Sequence, residues 1–316
     1  MQKIWIDCDT GFDDLFAIAA LSAAEEIDIV GISTVVGNTS LQWTTSNTLS
    51  TVENFHIDAP VYAGCAKPMA QEPCTIESLL GEAGMGTINR PLPAPRTRTA
   101  QLEHAVNALL RTLSEHESGE ITVLATGPMT NVAVAAIMDP EVFQRIGEIV
   151  FMGGSYGFGN HTCAAEFNTF ADPEALDTVI RTGVPLRMFG LNVTNQVLIT
   201  PEHSDRIRNV GSEFAQCVAD CLEKYLRIRD PHTPQPMALH DPTAAGWLIF
   251  PEFYEFKHGV LSVELNRGIG RGATFCEFRP KRITTANAHV AMRADGEVLA
   301  DRLVDLVICA LTKVKD

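Results

Sequence analysis

Lys3-Ile4-Trp5-Ile6-Asp7-Cys8-Asp9-Thr10-Gly11-Phe12-Asp13-Asp14-Leu15-Phe16 changes character twice in a short span. Ile4, Trp5 and Ile6 form an apolar run of strand type, whereas Leu15, Phe16, Ile18, Ala19 and Leu21 recur at the spacing of an amphipathic helix. Between the two stand four aspartates within eight residues. Two carboxylates about 5 Å apart repel by roughly 3 kcal/mol at an effective dielectric near 20. A raised pKa, a helix N-terminus or a bound cation can offset that repulsion. A helix N-terminus favours Asp13 and Asp14 but does little for Asp7 and Asp9. With so many carboxylates in one strand-to-helix loop, a hard divalent ion is the economical answer.

Outward from this stretch, strand and helix alternate. Strand-like runs cover Lys3–Ile6, Ile27–Val36, Val61–Ala63, Ile121–Ala125, Ile149–Met152 and Leu186–Phe189. Helical periodicity follows at about 13–23, 41–55, 99–115, 130–145, 173–182, 203–228 and 243–250. These lengths predict βαβ units in an open, mostly parallel, Rossmann-like α/β sheet with helices on both faces. After Pro251 the short runs Val260–Leu265, Ala273–Phe278 and Ala288–Met292 precede a helix over Glu297–Leu311, a C-terminal β/α extension. With no linker or low-complexity tract, residues 1–316 are expected to form one domain. The segment 64–98 is rich in Gly and Pro, and loops of such length are commonly functional. Arg229–Ala238, with three prolines, reads as a rim or lid.

A net charge of −15 and the absence of any Lys/Arg block exclude nucleic-acid polymers as partners and admit a neutral small substrate. Asp7 comes too early for a signal peptide, and no apolar run approaches a membrane span, so no membrane partner is expected. Eight cysteines without a C-x-x-C pair fit the reduced thiols of a cytoplasmic protein.

Ligands of open α/β sheets bind at the carboxyl ends of the strands. The residues expected there are Asp7 to Asp14, Gly37-Asn38, Thr126-Gly127-Pro128-Met129-Thr130-Asn131 and Met152-Gly153-Gly154. Gly159-Asn160, Ala165-Glu166-Phe167-Asn168 and His240-Asp241-Pro242 follow. Each has a plainer use: Asn38 suits a turn, and Asp172 or Asp241 suits an N-cap ahead of proline. Their coincidence at successive strand ends favours a site.

In these motifs the chain resembles the nucleoside hydrolases of the inosine–uridine-preferring family. The D-x-D-x-x-x-D-D signature stands as Asp7 to Asp14, and the other segments just quoted follow in order over roughly residues 3–275, with Asp172-Pro173-Glu174 and Arg271-Gly272. The resemblance implies hydrolysis of the N-glycosidic bond of ribonucleosides with Ca²⁺, a place in purine and pyrimidine salvage, and a dimer or tetramer. It implies that Asp9, Asp14, Asp241 and the Thr126 carbonyl hold the ion, within the six to eight oxygens Ca²⁺ takes. Asp9 would also be the general base toward the attacking water. Asp13, Asn38, Asn160, Glu166, Asn168 and the Met152 backbone, with Asp241, would hold the ribose. Their negative potential would stabilise an oxocarbenium-like transition state. His240 would face the departing base as general acid.

Departures from the family pattern concern the base. Leu80 in Leu80-Gly81-Glu82-Ala83-Gly84-Met85-Gly86 replaces a frequent histidine, and Asn195 another. Cys163 stands where proline is common, and Cys8 where threonine is. Base choice is therefore expected to rest on the 64–98 loop, on Asn195 and on Tyr225, Arg227, Arg229 and His232. A haloacid-dehalogenase-type phosphatase also opens on a strand and Asp-x-Asp, but it needs a Thr where Gly11 stands and a later Gly-Asp-x-x-x-Asp. An EF-hand needs Gly and an acid where Phe12 and Ile18 stand. A non-catalytic nucleoside- or ribose-binding module of the same fold is the remaining alternative, and turnover distinguishes it.

Overall fold

The computed structural model describes residues 1–85, 92–282 and 285–313. Gly86 and part of the 64–98 loop therefore lie outside the described residues. The strands are β1 (Gln2–Cys8), β2 (Ile27–Thr34), β3 (Val61–Ala63), β4 (Ile121–Ala125), β5 (Glu148–Met152) and β6 (Leu186–Phe189). Short β7 (Leu198–Ile199) and β8 (Met237–Ala238) follow, then β9 (Tyr254–Val263), β10 (Thr274–Glu277) and β11 (Ala288–Ala294).

Nine strands form one sheet in the order β10-β9-β11-β6-β5-β4-β1-β2-β3, and β7 and β8 pair separately. From β3 to β11 every pairing is parallel, and β9 and β10 add antiparallel edges. Chain order reverses between β1 and β4, which opens a crevice at their carboxyl ends.

The central strand shows why both faces are covered. Ile4 and Ile6 point into a core shared with Leu15, Phe16 and Leu21 of the Phe12–Ala23 helix and with Leu299, Leu303 and Val307 of the Gly296–Lys313 helix. Trp5 points the other way, among Leu109, Leu113, Val132 and Val179. Gly31 makes room for it, since a Cβ there would lie 2.4 Å from the indole ring.

Several helices break where the periodicity runs on. The expected 130–145 helix splits into Thr130–Met138 and Pro140–Phe143, because Pro140 lacks an N–H and Asp139 caps the second piece through Val142 N. The 203–228 helix splits into Pro201–Arg208 and Glu213–Leu226 around Gly211, whose φ is 83°, and Ser212 caps the second. The 99–115 helix begins only at Ala105, with His104 as its cap. β9 starts six residues before the expected Val260, since Tyr254 and Phe256 bring their rings against Phe189 and Trp247. Among the described residues no helix is long and apolar enough to cross a membrane.

Candidate active site

The crevice beside β1 is built from its first turn. Gly11 N donates to Asp14 Oδ2 at 2.8 Å, closing the start of the Phe12–Ala23 helix, and Thr126 Oγ1 at the end of β4 donates to Asp14 Oδ1 at 2.7 Å. Asn38 N, just past β2, donates to Asp9 Oδ2 at 2.7 Å. That approach needs glycine before it: a Cβ on Gly37 would stand 2.1 Å from the same Asp9 oxygen. The far partner arrives on the His240–Trp247 helix, where Asp241 lies inside the first turn and is not the N-cap. One oxygen each from Asp13, Asp14 and Asp241 comes within 4.8 Å of the others. Asp13, expected among the sugar-binding residues, thus joins the converging carboxylates. Asp9 stands beside them, close enough for its charge to act on Asp241.

The electrostatics follow from burial. Burial, then the charge of Asp13, raises the Asp14 pKa from its ordinary value to about 7, against the hydrogen bonds that favour its anion. Burial and Asp14 push Asp9 well up, and burial with Asp13, Asp14 and Asp9 does the same to Asp241. Arg229 is the sole Lys or Arg among the residues lining the adjoining cavity. Buried oxygen donors that repel one another, short of a cationic partner, fit a hard divalent ion better than a soft one.

The residues expected to hold the sugar converge on the same place. Asn168 Nδ2 donates to the carbonyls of Thr126 at 2.7 Å and Met152 at 3.2 Å, joining the ends of β4 and β5. Glu166 caps a short helix, Phe167–Ala171, and accepts from the N–H groups of Asn168 (2.8 Å), Gly154 (2.8 Å) and Thr169 (3.1 Å). Its burial outweighs those bonds and raises its pKa to about 7. Asn160 Oδ1 accepts from Phe167 N at 3.0 Å. Asp9, Asp13, Asn38, Thr126, Met152, Asn160, Glu166, Asn168, His240 and Asp241 all line a cavity of about 450 Å³, within the range of small-molecule sites.

His240 is half-buried, with Nδ1 2.9 Å from Thr194 Oγ1. Burial lowers its pKa; Asp13 pulls it up and Arg229 pushes it further down. Thr194 lies on a one-turn helix, Leu191–Thr194, too short for periodicity to reveal.

Of the residues assigned to base choice, Leu80, Asn195, Tyr225 and Arg229 line the cavity, whereas Arg227 and His232 do not. Arg227 instead braces the segment by donating to Glu223 Oε1 and to the carbonyls of Pro231 and His232. Tyr225 Oη donates to Ala238 O at 2.5 Å. Phe12, Ile76, Leu79, Phe158, Ile228 and Met237 supply apolar wall, which no motif marks. Asp172 is indeed an N-cap, holding Ala175 N, and also accepts from Met69 N and Thr130 Oγ1. Arg271 grips Glu174 through both carboxylate oxygens and reaches Gln71, anchoring the 64–98 loop away from the cavity. Asp7 points to the opposite side of β1, where Ser33 and Asn131 donate to Oδ1 and burial lifts its pKa to about 6.

The doubly wound sheet and its helices have the architecture of nucleoside hydrolases. The structure superposes on the plant nucleoside hydrolase PpNRh1 with a TM-score of 0.88 at 28% identity, covering 97% of this chain and 99% of that one. It matches the purine-preferring ribonucleoside hydrolase from Gardnerella vaginalis with a TM-score of 0.89 at 26% identity, covering 98% and 99%. A model of the family described as inosine–uridine preferring nucleoside hydrolase matches residues 4–301, and the chain belongs to that family. It is a ribonucleoside hydrolase by that membership. The pyrimidine-specific ribonucleoside hydrolase RihB of Escherichia coli (strain K12) is 37% identical over 297 residues, 94% of each sequence.

Proposed function

We propose that this protein hydrolyses the N-glycosidic bond of ribonucleosides to ribose and free base in a Ca²⁺-dependent reaction, with residues 1–316 acting as one domain. The observation that carries the proposal is the convergence of Asp13, Asp14 and Asp241 at the floor of a cavity also lined by Asp9, Asn38, Glu166 and Asn168. Asp9, Asp14, Asp241 and the Thr126 carbonyl are the assigned ligands, with Asp13 within reach of the same point. When bound, the ion neutralises this cluster and makes a nearby water more acidic. Asp9 accepts the proton of the attacking water on the oxygen that Asn38 leaves free. Asn160, Glu166 and Asn168 orient the ribose, and the carboxylates stabilise positive charge as it develops on the sugar ring. The apolar walls keep other water from the reacting carbon. A cytoplasmic setting and dimeric or tetrameric assembly belong to the same proposal. Ribose release from inosine and uridine with Ca²⁺ tests it; binding without turnover would favour the non-catalytic module.

The ion should be visible in stability. Folded Asp14 and Glu166 titrate near 7, above their ordinary values, so the ion-free fold holds extra protons at pH 5. Their contribution is complete below about pH 4 and is lost as pH rises through 7. In chelator the melting temperature should therefore fall from pH 5 to pH 8. Millimolar Ca²⁺ should raise it, more at pH 8 than at pH 5, because the ion competes with those protons. A melting curve indifferent to chelator and Ca²⁺ at both pH values would sink the metal assignment.

His240 has a separable role. His240→Ala removes assistance to the departing base, so it should slow inosine and uridine by roughly 10²-fold while sparing p-nitrophenyl riboside. Equal losses on all three would mean that His240 merely seats Asp241.

A further inference from the structure

The rim of the cavity carries a pair of side chains unlike the carboxylates of its floor. Cys74 Sγ, on the 64–98 loop, lies 3.5 Å from His161 Nε2, on the loop that follows β5. Both residues are half-buried, so water and small ions reach them. Burial raises the Cys74 pKa and lowers that of His161. At neutral pH the thiol therefore keeps its proton and the imidazole keeps an unprotonated nitrogen. This is not the thiolate–imidazolium pair of a nucleophile. As a hydrogen bond the contact contributes little, since a thiol is a weak donor.

The separation suits another use. With Zn–S near about 2.3 Å and Zn–N near about 2.0 Å, a tetrahedral ion holds its sulfur and nitrogen about 3.5 Å apart. The pair is also held in place without an ion. The His161 ring packs on Phe170 at 4.5 Å and on Phe167 at 5.5 Å, centroid to centroid. Its loop is closed by His161 N, which donates to Ala165 O at 3.1 Å, and by Gly159 N, which donates to Cys163 O at 3.2 Å. On the other side Cys74 stands between two fastened points. Gln71 Nε2 donates to the carbonyls of Phe170 at 2.8 Å and Ala171 at 2.7 Å, and Ile76 N donates to Asn38 O at 3.1 Å. Ligands already held in position lose little further freedom on binding.

We propose that Cys74 and His161 form a site for a cation of the Zn²⁺ class, separate from the oxygen-lined floor, and that the ion pins the rim of the cavity. On binding, the Cys74 S–H bond gives way to a sulfur–metal bond and its proton leaves to water. The His161 Nε2 lone pair supplies the second bond, and waters complete the coordination. Donor chemistry sorts the ions, because thiolate and imidazole select Zn²⁺ whereas carboxylates and carbonyls select Ca²⁺. Asn160 immediately precedes His161, Ile76 lies two residues beyond Cys74, and both line the cavity. An ion that joins the two loops resists their separation, so nucleoside entry and base release should slow.

The test titrates Co²⁺, a stand-in for Zn²⁺ whose thiolate complexes absorb in the near ultraviolet, into the reduced protein in millimolar Ca²⁺. The unaltered protein should develop that band, and so should a Cys163→Ser, Cys309→Ser double variant lacking the two exposed thiols. Cys74→Ser and His161→Ala should each weaken Co²⁺ binding by roughly 100-fold, at least the loss that follows removal of an outer-shell partner. Cys74→Ser, which preserves the size of the side chain, carries the test if His161→Ala does not fold. Zn²⁺ should slow ribose release by the unaltered protein and spare Cys74→Ser. Absence of the band from the unaltered protein, its loss from the double variant, or its persistence in Cys74→Ser would reduce the contact to a hydrogen bond and overturn the site. Equal slowing by Zn²⁺ in the unaltered protein and in Cys74→Ser would put the inhibition at the carboxylate floor and overturn the pinning of the rim.

Discussion

Asp9→Asn should lose kcat on every nucleoside by roughly 10²–10⁴-fold while still binding substrate. The amide keeps the shape of the side chain, and its oxygen can still accept from Asn38 N, which holds Asp9 Oδ2 at 2.7 Å. It cannot accept a proton from water. Because Asp9 acts on the attacking water and not on the departing base, the loss should be similar for uridine, inosine and an activated riboside. That uniformity distinguishes it from His240→Ala. Steady-state kinetics with product-inhibition by ribose checks the result: a variant retaining more than a tenth of parental kcat would move the general base elsewhere, with Asp13 as the next candidate by its place in the carboxylate cluster.

Removing the 2′-hydroxyl of the substrate should be as damaging as removing the base catalyst. Asn168, tied to the Thr126 and Met152 carbonyls, and Glu166, tied to three N–H groups, are rigidly held and mostly out of water. A buried polar group with no substrate partner loses its hydration without compensation, so such sites reject the deoxy analogue by about 10⁴-fold. Parallel assays of uridine and 2′-deoxyuridine read this directly. Comparable turnover would show that these side chains face something other than ribose.

The parts of the fold that could be read from sequence were those with a strong period or a chemical signature. β1 to β6 are buried on both faces, so their apolar runs stand out, and the turn from Asp7 to Asp14 advertises itself by charge. Asn38, Asn160, Glu166, Asn168, His240 and Asp241, which line the cavity, stand in the motifs that carry the family resemblance. Other features have no such mark. Thr194 acquires its place beside His240 only when a one-turn helix follows β6. Asp241 joins Asp13 and Asp14 only because the His240–Trp247 helix packs against the Phe12–Ala23 helix. Local stop signals at Gly211 and Asp139-Pro140 were outweighed by the apolar periodicity on either side of them. Arg227 and Arg229 look alike in the sequence. Which one is spent on the backbone is decided by the turn that follows.

The carboxylate floor joins distant parts of the chain. Asp13 and Asp14 are made early, Asp241 late, and the Phe12–Ala23 and His240–Trp247 helices that carry them pack together. During synthesis the acidic turn must wait, unmatched, until more than two hundred residues have followed it. Docking of the second helix then brings like charges together, against their repulsion, unless a cation is taken up in the same step. Ion affinity in this protein should therefore appear only when the chain is nearly complete. A nascent or truncated chain ending before Asp241 should retain little of it, and ion capture would serve as a late checkpoint that selects fully assembled molecules.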